Sequence, residues 1–160
     1  MKKDIRFVPT PSAVVEGMLA LARVGARDMV FDLGCGDGRL VIEAALLGAR
    51  GVGIDIDTSL IERSRLRAAE AGVEATTEFR IGNFFEADLS GATVVVLYLL
   101  HAVNRILLPK LRRDLRPGTR IVSHSFDMGD WPPDEKISID WRTVYLWTVT
   151  EQAKAQYAAK

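Results

Sequence analysis

The residues best suited to chemistry lie in Val30-Phe31-Asp32-Leu33-Gly34-Cys35-Gly36-Asp37-Gly38-Arg39, an apolar run closed by a carboxylate and followed by three glycines at alternate positions. A strand that reverses into a helix while a ligand lies against its backbone needs positions without a Cβ, and Gly34, Gly36 and Gly38 supply them. Val52-Gly53-Ile54-Asp55 is a second short apolar strand closed by an acid, with Asp55 seventeen residues past Gly38. An acid at that place is positioned to hold the ribose hydroxyls of a nucleoside. The pair is more specific than either half alone.

These groups need a scaffold, and the chain alternates helical and strand patterns that supply one. Ser12 is placed to cap a helix over 12–24, where Val14, Val15, Met18, Leu19 and Ala22 share a face and Gly25 marks the stop. Strands follow at 28–33, 51–55 and 75–81, separated by helices over 38–48 and 58–71. The run Ala92 to Tyr98 is apolar throughout, which suits a central strand covered on both faces. A helix over 102–115 leads through Pro117-Gly118 to a strand at 119–124. The runs 136–141 and 143–149 are too close for a helical crossover and must pair antiparallel. Thr150 to Lys160 reads as a polar, alanine-rich tail with helical character. The expectation is a Rossmann-like α/β sheet ending in an antiparallel hairpin, in one domain over 1–160.

Composition excludes several classes of function. The 160 residues are 48% apolar, enough for one core, and 21 basic side chains balance 21 acidic ones. A strong nonspecific polyanion binder needs clustered excess positive charge, which this balance does not provide. No run approaches the length of a membrane span, and the charged start Met1-Lys2-Lys3-Asp4 does not read as a secretion signal. Cytoplasm is therefore the expected location, with a monomer favoured. Cys35 is the single cysteine, so neither an intramolecular disulfide nor a cysteine-rich metal site is expected, and no metal is called for. In the glycine turn it reads as a small buried filler rather than a reactive thiol.

Dinucleotide dehydrogenases favour G-x-G-x-x-G and a fully parallel sheet, whereas this chain has G-x-G-x-G and a terminal hairpin. In that combination, with Gly53-Ile-Asp55, Gly82-Asn83 and Tyr98 in order, it resembles the class I S-adenosylmethionine-dependent methyltransferases over residues 7–149. Phe7-Val8-Pro9-Thr10-Pro11, Tyr98-Leu99-Leu100 with Asn104, Pro109-Lys-Leu and Leu115-Arg-Pro-Gly-Thr-Arg-Ile-Val-Ser-His124 narrow the resemblance to the small protein-lysine methyltransferases. That group includes archaeal broad-specificity enzymes and mitochondrial relatives acting on the ATP synthase c subunit and the adenine nucleotide translocase. The resemblance implies a seven-stranded sheet, S-adenosyl-L-methionine as cofactor and a protein as substrate. DNA is not expected, because Tyr98-Leu99-Leu100-His101 stands where other subfamilies carry an Asn-Pro-Pro-Tyr type motif. RNA is disfavoured. A small-molecule or RNA methyltransferase and a non-catalytic cofactor-binding partner subunit are the alternatives.

The resemblance also implies roles for single residues. Gly34 and Gly36 let the backbone approach the cofactor, and Asp32 either contacts its amino group or caps the turn. Asp55 accepts from both ribose hydroxyls, Ile56 packs on adenine, and Asn83 faces the adenine amino group through its carbonyl oxygen. Phe84 is an adenine-stacking ring or core. The segment 1–11 is a strap over the methionine end, with Thr10 supplying a hydroxyl, or a rigid lead-in to the helix. On the acceptor side Tyr98 lines the methyl-transfer pocket or belongs to the core, and His124 or Asp127 accepts a proton or orients the amine. His124 reads equally as a structural hydrogen-bonding residue. The family pattern has an acid at position 125 and proline at 101, where this chain has Ser125 and a helix-starting His101. Trp131, Trp141 and Trp147 read as packing for the hairpin and loop. Arg105, Lys110, Arg112, Arg113 and Arg116 read as a solvated helix face.

Overall fold

The computed structural model describes residues 9–158. Its strands are β1 (Met29–Leu33), β2 (Arg50–Asp55), β3 (Thr77–Ile81), β4 (Val94–Leu97), β5 (Arg120–His124), β6 (Glu135–Ile139) and β7 (Arg142–Thr148). Between and around them run α1 (Ser12–Leu21), α2 (Arg39–Leu46), α3 (Thr58–Glu70), α4 (His101–Asp114) and α5 (Glu151–Ala158). All seven strands form one sheet in the order β3-β2-β1-β4-β5-β7-β6. The first five are parallel, and β7 pairs antiparallel with both β5 and β6. This is the expected seven-stranded architecture, closed by the expected hairpin.

Strand alternation divides the core into two layers. Val94 and Val96 of β4 point to the face covered by Val14, Val15, Met18 and Leu19 of α1, while Val95 and Leu97 point to the face covered by Leu107 and Leu111 of α4. Every residue of β4 is buried, as its unbroken apolar run requires. The parallel order puts the carboxyl ends of β1, β2, β4 and β5 on one rim. Because β7 runs the other way, its first residue, Arg142, reaches that same rim.

Local boundaries differ from the sequence expectation for identifiable reasons. Ser12 is the first helical residue of α1 rather than its cap; Pro11 precedes it, and the Val14 and Val15 N–H groups close on the Pro11 carbonyl. The helix stops at Leu21 because Arg23 takes a left-handed φ of 55°, with the Val24 N–H returning to the Leu19 carbonyl, so Gly25 is not its stop. Strand β4 ends at Leu97, which leaves Tyr98 just beyond it. The tail is helical, and the Lys154 ammonium donates to the carbonyls of Arg112, Arg113 and Leu115 at the end of α4.

Candidate active site

The glycine turn follows β1 and folds against the end of β2. Gly34, Gly36 and Gly38 have φ of 82°, 56° and 82°, the left-handed region that other residues adopt at a cost. A Cβ on Gly38 would also lie 2.8 Å from Phe79 and Ser64, so this position is closed to side chains on two counts. The Gly34 and Cys35 N–H groups bond to the Ile54 carbonyl at 2.8 and 3.1 Å, which seats the turn on β2. Ser64 of α3 donates to the Gly36 carbonyl at 3.0 Å. Cys35 is buried, and that burial, with the neighbouring carboxylates, pushes its thiol pKa far up; it is the inert filler expected.

Three carboxylates surround this turn, each with different partners. Asp55 Oδ2 accepts from the Gly36 N–H at 3.0 Å and Oδ1 from the Asp57 N–H at 2.9 Å. A carboxylate offers about four acceptor sites, so each oxygen keeps one for a vicinal diol. Asp37 is buried, which raises its pKa, but Arg39 and Arg67 at 2.7 and 2.6 Å outweigh that and hold it below the usual carboxylate range. Asp32 is buried without such compensation: desolvation first, then the charges of Asp55 and Asp37, push its pKa up to about 7. Among the described residues no hydrogen bond offsets this shift. Such a carboxyl favours a cation beside it.

The remaining expected cofactor residues differ in their placement. Ile56 is half-buried after Asp55. Asn83 caps a short 3-10 turn, its Oδ1 accepting from the Phe85 N–H at 2.9 Å, so the oxygen assigned to adenine already carries one bond. Phe84 is 2% exposed and sits in the core, its ring edge 3.9 Å from where a Gly34 Cβ would be. Of the proposed strap over 1–11, residues 1–8 lie outside the described residues. Thr10 is described, and its carbonyl accepts from Arg39 Nη1 at 3.2 Å. Arg39 and Arg67 were not among the expected site residues; the Asp37-x-Arg39 spacing is a local signal for the first, but the second comes from 30 residues away and only the fold reveals it.

The acceptor side is built differently. Tyr98 stacks on His124 with ring centroids 3.9 Å apart and planes at 28°, and lies near-parallel to Phe126 at 6.3 Å. His124 is fully buried at the end of β5, and Arg142 Nη1 lies 3.0 Å from its Nε2. Burial first, and the Arg142 charge second, push the His124 pKa down to about 4. A ring so poorly basic, with Nε2 already occupied, is a weak proton acceptor. Asp127 is half-buried, and its Oδ1 accepts from the Gly129 N–H at 3.0 Å. Asn104 Nδ2 reaches the carbonyls of Phe126 and Asp127, both at 3.4 Å, and holds their loop against α4. Ser125, between strand and loop, is left-handed with φ of 71°.

Two surface expectations change. Trp131 and Trp147 pack together with centroids 6.3 Å apart, but Trp141 at the hairpin tip is 81% exposed and packs no core. The basic run on α4 is not uniformly solvated: Arg112 is buried against Trp131, while Lys110 and Arg113 pair with Asp114.

A glycine turn tied to the acid of the next strand, on a sheet of this order with an antiparallel last pair, defines a class I S-adenosylmethionine-dependent methyltransferase. The chain belongs to the ANTKMT methyltransferase domain family, whose model matches residues 32–135. It is 43% identical to the protein-lysine N-methyltransferase of Saccharolobus islandicus, over 92% of this chain and 95% of that protein. It is 31% identical to the adenine nucleotide translocase lysine N-methyltransferase of Mus musculus over 83% of its own length, but spans only 58% of that relative. Among solved structures, an RNA methyltransferase from Salinibacter ruber in complex with S-adenosyl-L-homocysteine superposes with a TM-score of 0.89 at 56% identity, over 90% of this chain and 95% of that one.

Proposed function

We propose that the protein methylates the side-chain amine of protein lysines, using S-adenosyl-L-methionine held at the glycine turn. The residues present fit that cofactor: Asp55 keeps acceptor sites for a diol, and Asp32 is a buried carboxyl in want of a cation. Gly34 and Gly36 admit the ligand to the backbone, Ile56 packs on its base, Asn83 meets the base edge, and Thr10 approaches from the strap. When bound, the cofactor supplies an activated methyl group on a sulfonium.

The protein's own task is then positioning. Tyr98 and Phe126, near-parallel with centroids 6.3 Å apart beyond the β4 and β5 ends, are an aromatic pair suited to the chain and ammonium of a lysine. Asp127, at the same rim, orients the incoming amine. An amine must lose its proton before it attacks, and with His124 pushed down to about 4 that loss rests on desolvation of the lysine rather than on imidazole.

The observation that carries the choice of protein lysine is the similarity to the archaeal protein-lysine N-methyltransferase across nearly both chains. RNA is the second reading, favoured by the similarity to the Salinibacter ruber RNA methyltransferase. Against it stand the charge balance of the chain and the pairing of Lys110 and Arg113 on α4 with Asp114. The reading is of a one-domain monomer acting in the cytoplasm. Among the described residues no helix is long and apolar enough to cross a membrane. Incubation of the protein with methyl-labelled cofactor and a cell lysate tests the reading. Label is expected in protein and, after digestion, on lysine; label in RNA alone would replace this reading with the second.

A further inference from the structure

Arg142 is the residue of the acceptor side that no motif indicates. In the β5–β7 pairing His124 stands opposite Val144, so Arg142 occupies the diagonal position on the same face of the sheet. Its guanidinium carries only donors, so its 3.0 Å contact makes His124 Nε2 the acceptor and leaves the proton of the neutral ring on Nδ1. Nδ1 is buried without a hydrogen-bond partner among the described residues, so no other contact fixes the tautomer. One face of the imidazole lies 3.9 Å from the Tyr98 ring. The guanidinium is itself held over the Trp141 ring, 4.4 Å from its centroid, at the tip of the hairpin.

We propose that Arg142 is a positioning residue for methyl transfer: it holds His124 as the Nδ1-protonated neutral ring and thereby fixes the plane of Tyr98 beside the acceptor. The proposal rests on the reading of Tyr98 as a lining residue. An imidazolium would present donors on both nitrogens, lose the bond to Arg142 and place two cations side by side, so ring and clamp would separate and Tyr98 would lose its support. Among the described residues the charged group acting on His124 is Arg142 from β7, and the titratable group against its face is Tyr98 from the end of β4.

Nitrogen-15 NMR of the imidazole rings in the full chain tests this, with His124→Gln assigning the signal. In the parent, His124 is expected as the Nδ1–H tautomer, with no titration between pH 5 and 8, roughly the range in which a free histidine titrates. In Arg142→Met the tautomers should mix and the titration should move toward the ordinary value of about 6.5. The kcat should fall about ten- to a hundredfold with cofactor affinity unchanged, the signature of lost alignment rather than lost binding. Arg142→Lys, which keeps the charge and loses the planar fork, should fall between the two, and it serves as the working variant if the methionine form does not fold. An unaltered tautomer and titration, or an altered one with parental kcat, overturns the proposal. Tyr98→Ala separates the two layers: parental turnover there removes the reading of Tyr98, whereas lost turnover there with parental turnover in the Arg142 variants removes only this inference.

Discussion

The cofactor side and the acceptor side of the rim are built on opposite principles. The first is polar and comes from two consecutive strand-to-helix turns: residues 32–39 and 55–57 hold one another through backbone N–H groups and carboxylates, with burial setting one acid near neutrality. The second is aromatic: Tyr98, His124, Phe126 and Arg142 come from three separate strand ends and meet only because β4, β5 and β7 are neighbours. A ligand common to a whole family can be recognised by short motifs in consecutive turns. An acceptor that varies is met by side chains which the sheet assembles.

If that division holds, substitutions on each side should separate binding from turnover. The largest effect is expected for Tyr98→Ala, with kcat reduced about a hundredfold, the cost of a small misplacement of the reacting groups, and cofactor affinity by calorimetry nearly unchanged. Asp55→Ala should do the reverse, weakening the cofactor by roughly 10- to 100-fold through the loss of charge-assisted hydrogen bonds worth about 1.5–3 kcal/mol. Unchanged affinity in Asp55→Ala, or an equal loss in both variants, would break the comparison.

A finer test uses pH. Asp32 titrates near 7, and a cation beside it favours its ionised form, so cofactor binding should release a proton. Affinity should therefore rise with pH below neutrality, by at most about tenfold per unit, and level off above it. Asp32→Asn should flatten that profile, and a parental slope in the variant rules out Asp32 as the group responsible.

The smallest effect is a cancellation. Asp32 is raised from its ordinary 3.8 to about 7, so between those values the folded state holds a proton that the unfolded chain has lost, and stability falls as pH rises. His124 is lowered from 6.5 to about 4, so in that window the unfolded chain holds the extra proton, and stability falls as pH drops. Each has a limiting slope of about 1.4 kcal/mol per unit, with opposite signs, so together they should leave the unfolding free energy nearly level from about pH 4.5 to 6. Asp32→Asn should expose a loss toward acid, and His124→Gln a loss toward neutral pH, in denaturant titrations. Parallel profiles in the two variants would contradict the assigned shifts.

The same division explains what the sequence disclosed. The succession of elements, the hairpin and the turn with Asp55 follow from local signals, because glycine spacing and apolar periodicity are short-range properties, whereas the seven-stranded sheet is implied by the family resemblance. The end of α1 escaped because Arg23 takes a conformation that the nearby Gly25 would adopt more readily. Trp141 departs from the packing that an aromatic in a strand pattern suggests, because it sits in a two-residue turn, with Ile139 opposite Arg142, where no core reaches it. Arg142 had no local signal at all, since its contact with His124 depends on the register of β7 against β5.

The three tryptophans also divide the molecule optically. Trp131 and Trp147 are buried against each other, and the indole N–H of Trp147 donates to the Trp131 carbonyl at 2.8 Å, so their emission reports the integrity of the folded core. Trp141 stands in water at the rim, with a guanidinium over its ring. In a protein whose chemistry changes no colour, a quencher that reaches only Trp141 turns this side chain into a native fluorescent probe of whatever approaches the acceptor side, with the core pair as its internal reference.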